Sequence, residues 1–351
     1  MRILFTGASS FTGYWFVREL VSAGHEVVAA CRGDGRYEGL RAERMRMVRE
    51  LCKTRFGCAF GTDDFLALAK TPFDVLSHHG AEAGDYRSPD FDPYRAAATN
   101  LHHLPEVLSA LRDRGCGRLV LTGSVFEANE GAGSAPLRAF SPYGLSKTLT
   151  AEAARFYADR EGFTFEKFVI PNPFGPYEEP RFTAYLMRTW LGGETARVQT
   201  PRYVRDNIHV SLLAKAYAAF VGENSAPGAP RRLNPSGYAE TQGAFTQRLR
   251  DEVAARLGLR ASSNSVPRPN FPSRRRASTP TSWMPIKWGG AGLKCRRISW
   301  PTTLLRRRGA VEQLPCRFVG TGVGAQRWLG MNLWHSTGAL DLGKVLSACR
   351  G

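Results

Sequence analysis

The sequence MRILFTGASSFTGYWFVREL, residues 1–20, decides the fold. Four of its first five residues are apolar, which is typical of a β-strand that is buried on both faces. Gly7 allows a tight turn, and residues 11–20 follow with helical periodicity, with Gly13 in the first turn. A glycine-rich turn between a strand and a helix presents backbone N–H groups and the positive helix end to a phosphate. The stretch therefore predicts a phosphate-binding loop, although the loop alone also fits an ordinary tight turn in an α/β core.

Strand and helix patterns alternate through the first half of the chain. The strands are short apolar runs rather than alternating ones, so the predicted fold class is α/β, a doubly wound parallel (Rossmann) sheet covered by helices on both faces. After the opening strand, the predicted strands lie at 26–33, 58–64, 73–81, 118–124 and 163–172, and the predicted helices at 92–114 and 142–161. Ligands bind such sheets beyond the carboxyl ends of the strands. The residues at those ends are Thr6, Arg32, Asp63, Gly80 and Thr122.

Three segments are predicted along the chain. Residues 1–172 form the dinucleotide-binding domain. Residues 173–260 form a small substrate-binding lobe that also contributes strands and helices back to the sheet. Residues 261–351 show neither pattern and form a basic, irregular tail. The helices predicted in the lobe lie at 182–192, 211–221 and 241–257.

The net charge of +17 belongs mainly to the tail. Residues 261–351 contain 15 Lys and Arg but 2 Asp and Glu, whereas residues 1–260 contain 33 and 29. The body is nearly balanced, so its composition does not favour nucleic-acid binding. Five of the seven tryptophans lie among the arginine clusters of the tail. Nucleic-acid binding through the tail is therefore kept only as an alternative.

Composition also bears on metals and compartment. The seven cysteines show no CxxC pair and no zinc-like spacing to histidine, so no metal site is predicted. No apolar run reaches the length of a membrane span, and the chain begins with a strand rather than a signal peptide. We therefore expect a cytoplasmic protein without membrane contact.

Tyr143 and Lys147, in the segment SPYGLSK, carry the predicted chemistry. Four residues apart on a helix, their side chains lie on one face. A phenol ionises near pH 10, but a neighbouring ammonium and a positively charged nicotinamide ring would favour the phenolate and make proton transfer feasible. Thr122 offers a hydroxyl to a substrate alcohol or carbonyl at the same edge. The Tyr-Lys spacing alone also fits a solvated helix face.

Five segments together make the chain resemble the extended short-chain dehydrogenase/reductase family, which includes the nucleotide-sugar epimerases, dehydratases and ketoreductases typified by UDP-glucose 4-epimerase. Their order and intervals are similar to those of the family over residues 1 to about 260. They are TGASSFTG (6–13), LTGSVFE (121–127), SPYGLSK (141–147), VIPNPFGP (169–176) and VRDNIHVSLLA (204–214).

The resemblance implies roles for individual residues. Tyr143 is the catalytic acid/base, and Lys147 holds the nicotinamide ribose and lowers the tyrosine pKa. Thr122 contacts the substrate hydroxyl, with Ser124 as the weaker candidate, and Asn100 supports the active-site helix and its proton relay. The cofactor-binding residues, besides Tyr143 and Lys147, are Gly7, Ser9, Ser10, Phe11, Thr12, Gly13, Arg32, Asp63 and Gly80.

The resemblance also implies a site for the substrate diphosphate, formed by Arg205 and Asn172. A planar guanidinium suits paired phosphate oxygens, so the chemistry agrees. Arg181 is a third candidate anion contact, with an ordinary surface arginine as the alternative. His209 is interpreted as structural.

Three departures from the family pattern matter. Ser10 replaces the middle glycine of the phosphate loop, so its side chain must fit near the pyrophosphate or contact it. Cys31 replaces the acidic residue that holds the ribose 2′-OH, and Arg32 follows it. Because arginine attracts a 2′-phosphate, NADP(H) is favoured over NAD(H), with stacking of Arg32 on adenine as the alternative. Gly123 and Ser124 replace the Asp-Glu pair of the dehydratases, so dehydration is disfavoured.

These residues predict hydride transfer at a sugar carbon of a nucleoside-diphosphate sugar, by 4-epimerisation or by reduction of a 4-keto sugar. The NADP(H) preference favours the reductase and the family favours the epimerase, so both stay open. A non-catalytic sensor of NADP(H) is the alternative from another class, although a sensor needs none of Thr122, Tyr143 and Lys147. By analogy with the family, the helices at 92–114 and 142–161 are expected to form a homodimer interface.

The sequence after about residue 262 suggests a change of reading frame. Tryptophan and methionine have single codons, so Trp283-Met284-Pro285, read from the last base of the tryptophan codon, gives Asp-Ala. Trp300 and the three residues after it similarly give alanine and then residues drawn from Asp, Tyr, His and Asn. We interpret residues 261–351 as an out-of-frame C-terminus of the family, with a genuine disordered basic tail as the alternative.

Overall fold

The computed structural model describes residues 1–33, 37–133, 137–223, 231–257, 262–265 and 275–276. The strands are β1 (Arg2–Thr6), β2 (Glu26–Ala30), β3 (Lys53–Arg55), β4 (Val75–His78), β5 (Arg118–Ser124), β6 (Ala132–Gly133), β7 (Thr164–Ile170), β8 (Asn172–Phe174), β9 (Thr195–Val198), β10 (Val204–His209), β11 (Arg231–Leu233), β12 (Tyr238–Thr241), β13 (Ser262–Ser265) and β14 (Arg275–Arg276). The helices are α1 (Phe11–Ser22), α2 (Gly39–Leu51), α3 (Asp63–Ala69), α4 (Pro93–Asn100), α5 (Leu104–Arg112), α6 (Pro142–Arg160), α7 (Phe182–Leu191), α8 (Val210–Gly222) and α9 (Gln242–Leu257).

Seven strands form one parallel sheet in the order β11-β7-β5-β4-β1-β2-β3. The chain runs outward from β1 through β2 and β3 and then returns to β4 on the other side of β1. The strand order therefore reverses between β1 and β4, which is where such sheets bind ligands. All of β4 is buried, as expected for a strand covered on both faces. The predicted doubly wound parallel sheet is confirmed.

Two apolar clusters cover the two faces of the sheet, and they divide the residues of β5 between them. Val120 joins the cluster that contains residues of α1 and α8, whereas Leu119 and Leu121 join the cluster that contains residues of α5 and α6. Because side chains alternate along a strand, the Thr122 side chain points towards α1 and α8. The α6 helix, which carries Tyr143 and Lys147, lies on the opposite face.

The segment after β7 forms a small lobe with its own apolar core. Strands β12, β10 and β8 form a three-stranded sheet, in which β10 is antiparallel to β12 and parallel to β8. Trp190 of α7 and Phe245 of α9 are buried in the core beside this sheet. The same segment returns α8 to one face of the large sheet and β11 to its edge. The lobe segment therefore also forms part of the large sheet and of the layer that covers it.

The third strand was predicted at 58–64, and that prediction is wrong. The strand is β3, at 53–55, and residue 63 instead begins α3. β3 is an edge strand of three polar residues that is placed by main-chain pairing with β2. It therefore has no apolar run by which sequence could locate it.

The helix predicted at 92–114 is two helices, α4 and α5, separated by residues 101–103. Pro105 lies in the first turn of α5, where its missing N–H costs nothing, but within a continuous helix it would break a hydrogen bond. His103 accordingly takes a left-handed conformation (φ 47°) before α5 begins.

Two short strands lie within the segment predicted to be an irregular tail. β13 pairs in parallel with β9, and β14 pairs with β6. The prediction of irregular structure is therefore wrong at residues 262–265 and 275–276. The other residues of that segment, including Trp283 and Trp300, lie outside the described residues, so the change of reading frame stays a prediction.

Candidate active site

The loop between β1 and α1 is closed by Ser10. The Ser10 hydroxyl accepts a hydrogen bond from the Gly13 N–H (3.0 Å), which caps α1, and donates to the Gly7 carbonyl (2.9 Å). The backbone φ of Ser10 is −75°, so this position does not require glycine. Gly13 is required, because a Cβ there would lie 2.1 Å from the Gly7 carbonyl oxygen. The serine that departs from the family pattern thus stabilises the loop from within.

Two arginines of α2 hold the neighbouring residue, Ser9. Arg41 donates to the Ser9 hydroxyl from Nε (3.0 Å) and Nη2 (2.9 Å). Arg44 is fully buried and donates to the Ser9 carbonyl (3.0 Å) and the Tyr177 carbonyl (2.8 Å), and it pairs with Glu179 (2.6 Å). Sequence analysis missed both arginines, because a helix rich in charged residues predicts a solvated face.

The end of β4 packs against this loop at the point where the strand order reverses. Gly7 has a φ of 81°, and a Cβ on it would lie 2.7 Å from Gly80. The Gly80 N–H donates to the Thr6 hydroxyl (2.9 Å). Phe11 and Thr12 begin α1 next to the loop and are buried. The structure therefore brings the predicted phosphate-loop residues together at one edge of the sheet.

Arg32 follows β2 at that edge, whereas Asp63 does not follow a strand directly. The Arg32 guanidinium pairs with Glu82 (2.8 Å) and is half exposed. A 2′-phosphate at Arg32 would compete with this carboxylate. Asp63 is exposed in the first turn of α3 rather than at a strand end, and its contact with the cofactor stays a prediction.

Tyr143 and Lys147 lie at the start of α6, beside the end of β5. Gly144 lets α6 approach the Phe126 backbone, since a Cβ there would lie 2.1 Å from the Phe126 carbonyl oxygen. Lys147 is buried, and its Nζ donates to the Thr122 carbonyl (2.6 Å). The predicted pair therefore stands at the carboxyl end of the sheet.

The loop that follows β4 covers Tyr143. The Tyr143 ring lies 5.6 Å from the Tyr86 ring and 6.1 Å from the Phe91 ring, measured between centroids. The Arg181 guanidinium lies over Tyr86 at 5.7 Å. Arg181 is thus at the site rather than on a remote surface.

Electrostatics favour the neutral phenol of Tyr143 in the protein alone. Burial raises the pKa of Tyr143, and the Glu127 carboxylate raises it further, whereas Arg181 lowers it. Burial lowers the pKa of Lys147, and Glu127 opposes that effect. A positively charged ring bound beside Tyr143 would act in the direction of Arg181.

The two candidate hydroxyls differ in their surroundings. The buried Thr122 hydroxyl is hydrogen-bonded with Nδ1 of His79 (3.1 Å), on the side of α1 and α8. The Ser124 hydroxyl, at the end of β5, accepts from the Phe126 N–H (3.3 Å). The Ser124 hydroxyl thus serves as an acceptor at the strand end, whereas the Thr122 hydroxyl is bonded to His79 in the core.

Asn100 joins α4 to the active-site helix. It is buried, and its amide donates to the Thr150 hydroxyl of α6 (3.1 Å) and accepts from the Glu82 N–H (2.6 Å). This position agrees with support of α6, while a role in proton relay stays a prediction.

A buried ionic cluster lies behind Tyr143, and sequence analysis missed it. Glu127 accepts from the Ser124 N–H (2.6 Å) and pairs with Lys167 (2.5 Å), which also pairs with Glu130 (3.1 Å). Arg232 of β11 pairs with Glu130 as well. The local sequence does not link these residues, because the two glutamates, Lys167 and Arg232 come from three separate segments.

On the lobe side, three side chains form a hydrogen-bonded row. Arg205 donates from Nη1 to Asn172 Oδ1 (2.9 Å), and Asn172 donates to Asn207 Oδ1 (2.6 Å). In the described part of the chain, Arg205 Nε and Asn207 Nδ2 are buried without a hydrogen-bond partner. Two buried donors without acceptors are costly, and a bound anion would satisfy them.

His209 caps α8 through a hydrogen bond from the Ser211 N–H (3.3 Å), which agrees with its structural interpretation. Within the described residues, no group of three or more His, Cys, Asp or Glu is arranged to hold a metal ion. Cys31, Cys52, Cys58 and Cys116 are free thiols. No helix in that part of the chain is long and apolar enough to cross a membrane.

Comparison with known proteins identifies the family. The sequence model of the "NAD dependent epimerase/dehydratase family" matches residues 3–234. The chain belongs to this family. The assignment confirms the resemblance to the extended short-chain dehydrogenases/reductases and the expected class, an NAD(P)-dependent epimerase or oxidoreductase.

Relatives of this epimerase/dehydratase chain include a UDP-glucose 4-epimerase of Mycolicibacterium smegmatis, 27% identical over 74% of this chain and 83% of that protein. A 2-alkyl-3-oxoalkanoate reductase of Stenotrophomonas maltophilia is 32% identical over 35% of this chain and 33% of its own length.

Solved structures share the fold. A UDP-glucose 4-epimerase of Thermotoga maritima, solved with UDP-glucose, has a TM-score of 0.63 and 18% identity, covering 80% of this chain and 90% of that one. A dTDP-glucose 4,6-dehydratase of Streptomyces venezuelae, solved with NAD, has a TM-score of 0.61 and 23% identity, covering 80% and 88%. At these identities the likeness shows the fold alone.

Proposed function

We propose that the protein is an NAD(P)-dependent enzyme that transfers hydride at a sugar carbon of a nucleoside-diphosphate sugar, as a 4-epimerase or a 4-ketoreductase. The observation that carries the proposal is the position of Tyr143 and Lys147. They stand at the carboxyl edge of the sheet, which also carries the phosphate loop, and Tyr86, whose ring packs on Tyr143, also acts electrostatically on Arg205. A phosphate site and a proton-transfer group on one edge are what such a reaction needs.

The residues present fit a dinucleotide. The Gly7–Gly80 contact leaves no room for a Cβ, and the positive N-terminus of α1 follows directly on this loop. The loop would hold the pyrophosphate and Lys147 the nicotinamide ribose. The bound dinucleotide supplies the hydride acceptor or donor, and the chain supplies orientation and proton transfer.

Tyr143 is proposed to exchange a proton with the substrate oxygen. Its neutral phenol is the donor form, and Lys147 and the positive ring of an oxidised cofactor favour the phenolate needed for the reverse step. Thr122 and Ser124 remain the candidates for the substrate-hydroxyl contact. The geometry supports Ser124 more directly, because the Thr122 hydroxyl is bonded with His79.

Arg205 and Asn172 are proposed to bind the substrate diphosphate. The buried Arg205 Nε, which has no partner in the described residues, supports this, and burial lowers the pKa of its guanidinium, so a nearby anion would be stabilising. The UDP-glucose and UDP-glucuronic acid bound in two structural neighbours suggest the ligand class. Arg181, which lies over Tyr86 and whose charge lowers the pKa of Tyr143, is proposed as a third anion contact.

Dehydration is disfavoured in this proposal, although a 4,6-dehydratase is among the structural neighbours. Gly123 and Ser124 carry no carboxylate, and the Glu127 carboxylate is held by the Ser124 N–H and by Lys167. A carboxylate fixed in this way is a poor proton carrier.

The cofactor preference is proposed to be for NADP(H), through Arg32, whereas structural neighbours from Bacillus cereus and Thermus thermophilus were solved with NAD. A 2′-phosphate would have to displace Glu82 from Arg32, and Arg41, beside Ser9, is a second cation at the loop that supports the preference.

We also propose a homodimer through α4 and α6, since Tyr94 and Phe156 are exposed on these helices. The basic segment on which nucleic-acid binding was considered lies almost entirely outside the described residues.

The test combines bound-ligand mass spectrometry of the purified protein with turnover of nucleotide sugars by wild type and Tyr143→Phe. We expect a bound dinucleotide, turnover by the wild type and none by the variant, with dinucleotide affinity within a few-fold because only the proton-transfer group is lost. Near-normal kcat in the variant would show that Tyr143 is not the acid/base. Dinucleotide binding without any turnover by the wild type would favour the sensor.

A further inference from the structure

His79 lies at the centre of the site, yet the proposed reaction does not use it. It follows β4, and its ring packs against the rings of Phe5 (5.7 Å between centroids) and Phe16 (5.0 Å). Its two nitrogens face different parts of the site. Nδ1 lies 3.1 Å from the Thr122 hydroxyl, whereas Nε2 lies 3.0 Å from the Ser10 hydroxyl and 3.2 Å from the Thr12 hydroxyl.

The hydrogen bonds around Ser10 determine which nitrogen of His79 carries the proton. The Gly7 carbonyl can only accept, so the single Ser10 hydroxyl proton is donated to it. The Ser10 oxygen then accepts from the Gly13 N–H and from Nε2 of His79. With Ser10 donating to the Gly7 carbonyl, the arrangement fits a proton on Nε2 and an acceptor at Nδ1 for the Thr122 hydroxyl.

The ring is neutral, because burial and the nearby Lys147 ammonium lower the pKa of His79 to about 3. A neutral ring has one donor and one acceptor, and each has a partner here. It is therefore suited to hold two groups in a fixed relation rather than to carry protons at neutral pH.

Thr122 connects this ring to Lys147. The Thr122 hydroxyl bonds with His79, and its carbonyl accepts from Lys147 Nζ at 2.6 Å. A continuous series of contacts thus runs from the phosphate loop, at Ser10, through His79 and Thr122 to the ammonium beside Tyr143.

We propose that His79 is a positioning residue that holds Thr122, and through its carbonyl the Lys147 ammonium, in a fixed relation to the phosphate-binding loop. The kinetic part of this inference rests on the proposed function, since it requires that Lys147 and Tyr143 act as described. An apolar residue of similar size would fill the space beside Phe5 and Phe16 but would make neither hydrogen bond.

Two substitutions test the contacts of the two ring nitrogens separately. His79→Asn places an amide near the position of Nδ1 and keeps the bond with Thr122, whereas His79→Gln reaches the position of Nε2 and keeps the bonds with Ser10 and Thr12. We expect His79→Asn to raise the dinucleotide Kd about five- to tenfold and leave kcat within about twofold, the cost of one neutral hydrogen bond. His79→Gln is expected to lower kcat about five- to tenfold and leave the Kd within about twofold.

Matched controls and a double-mutant cycle complete the test. His102→Asn and His102→Gln change an exposed histidine away from the site and should alter neither quantity. His79→Gln should lower kcat no further in a Thr122→Val background, because the same contact is already lost. Thermal unfolding of each variant accompanies the measurements and identifies loss of folded protein.

The outcomes distinguish this inference from the proposed function. Equal changes in Kd and kcat for both substitutions, or no change in either, would show that His79 only fills space. If the wild type turns over no nucleotide sugar, the proposed function fails. The dinucleotide Kd values still test the positioning role of His79, since His79→Asn should then weaken dinucleotide binding and His79→Gln should not.

Discussion

Glu178, in the loop between β8 and α7, is expected to make the stability of the protein depend on pH. The carboxyl is 9% exposed and accepts one hydrogen bond, from the Gly175 N–H at 3.3 Å. Burial raises its pKa from 4.5 to about 7. Between these two values the folded protein retains a proton that the unfolded chain releases. The free energy of unfolding therefore falls as the pH rises through this window.

The magnitude follows from the same two values. At about 1.4 kcal/mol per pH unit, the difference between 4.5 and about 7 corresponds to roughly 3 kcal/mol. This contribution is fully present below pH 4.5 and is lost above about pH 7. Glu178→Gln keeps the shape and an oxygen for the Gly175 N–H but does not ionise.

Urea unfolding of wild type and Glu178→Gln across this pH range measures the effect. We expect the two proteins to differ least near pH 5, and the variant to be more stable by up to about 3 kcal/mol near pH 8. Glu152→Gln, which removes an exposed carboxylate on α6, reports the effect of losing one surface charge. Parallel pH profiles for wild type and Glu178→Gln would refute the reasoning.

Three further predictions concern the cofactor edge and the catalytic tyrosine. Arg32→Ala should weaken the binding of NADPH about ten- to a hundredfold and that of NADH little. Glu82→Gln, which frees the Arg32 guanidinium, should tighten NADPH binding. Equal losses of affinity for both dinucleotides would favour stacking of Arg32 on adenine. Gly13→Ala should abolish dinucleotide binding, measured by calorimetry, because its Cβ would meet a carbonyl oxygen at 2.1 Å, whereas Gly117→Ala, with no atom near its Cβ, should bind normally. In a pH titration of absorbance, the phenolate signal that is present in wild type and absent in Tyr143→Phe should give a pKa above the usual value near 10, and oxidised dinucleotide should lower that pKa. A pKa below 10 for this tyrosine in the protein alone would contradict the burial argument.

The sequence predicted the sheet because its central strands are continuous apolar runs rather than alternating ones. β1 and β5 are buried on both faces, so nearly every residue in them carries the signal. The edge strand β3 lies outside this rule, because Lys53, Thr54 and Arg55 are placed by main-chain pairing alone. Apolar residues at 58–65 instead belong to the turn before α3 and to its buried face, which explains the misplaced third strand.

The site was predictable where its residues are close in sequence and not where they meet only in the fold. The phosphate loop and the Tyr143–Lys147 pair each lie within one short segment, so spacing was enough to find them. The contact of His79 with Thr122 joins the residue after β4 to β5 and depends on the direction of each side chain. The side of the sheet chosen by Thr122 could have been inferred from its alternation with Leu121, but a histidine partner could not.

Arg44 limits how this protein could be divided or recombined. A fragment ending at residue 172 would keep the Arg44 guanidinium but lose the Tyr177 carbonyl and the Glu179 carboxylate that accept its hydrogen bonds. Hydrogen bonds to a charged group contribute about 1.5–3 kcal/mol each, a large share of the stability of an ordinary domain. The dinucleotide-binding half is therefore not a portable module. A chimaera with a relative should exchange Arg44 together with the loop that accepts its hydrogen bonds, because a joint placed between them would separate the guanidinium from the Tyr177 and Glu179 acceptors.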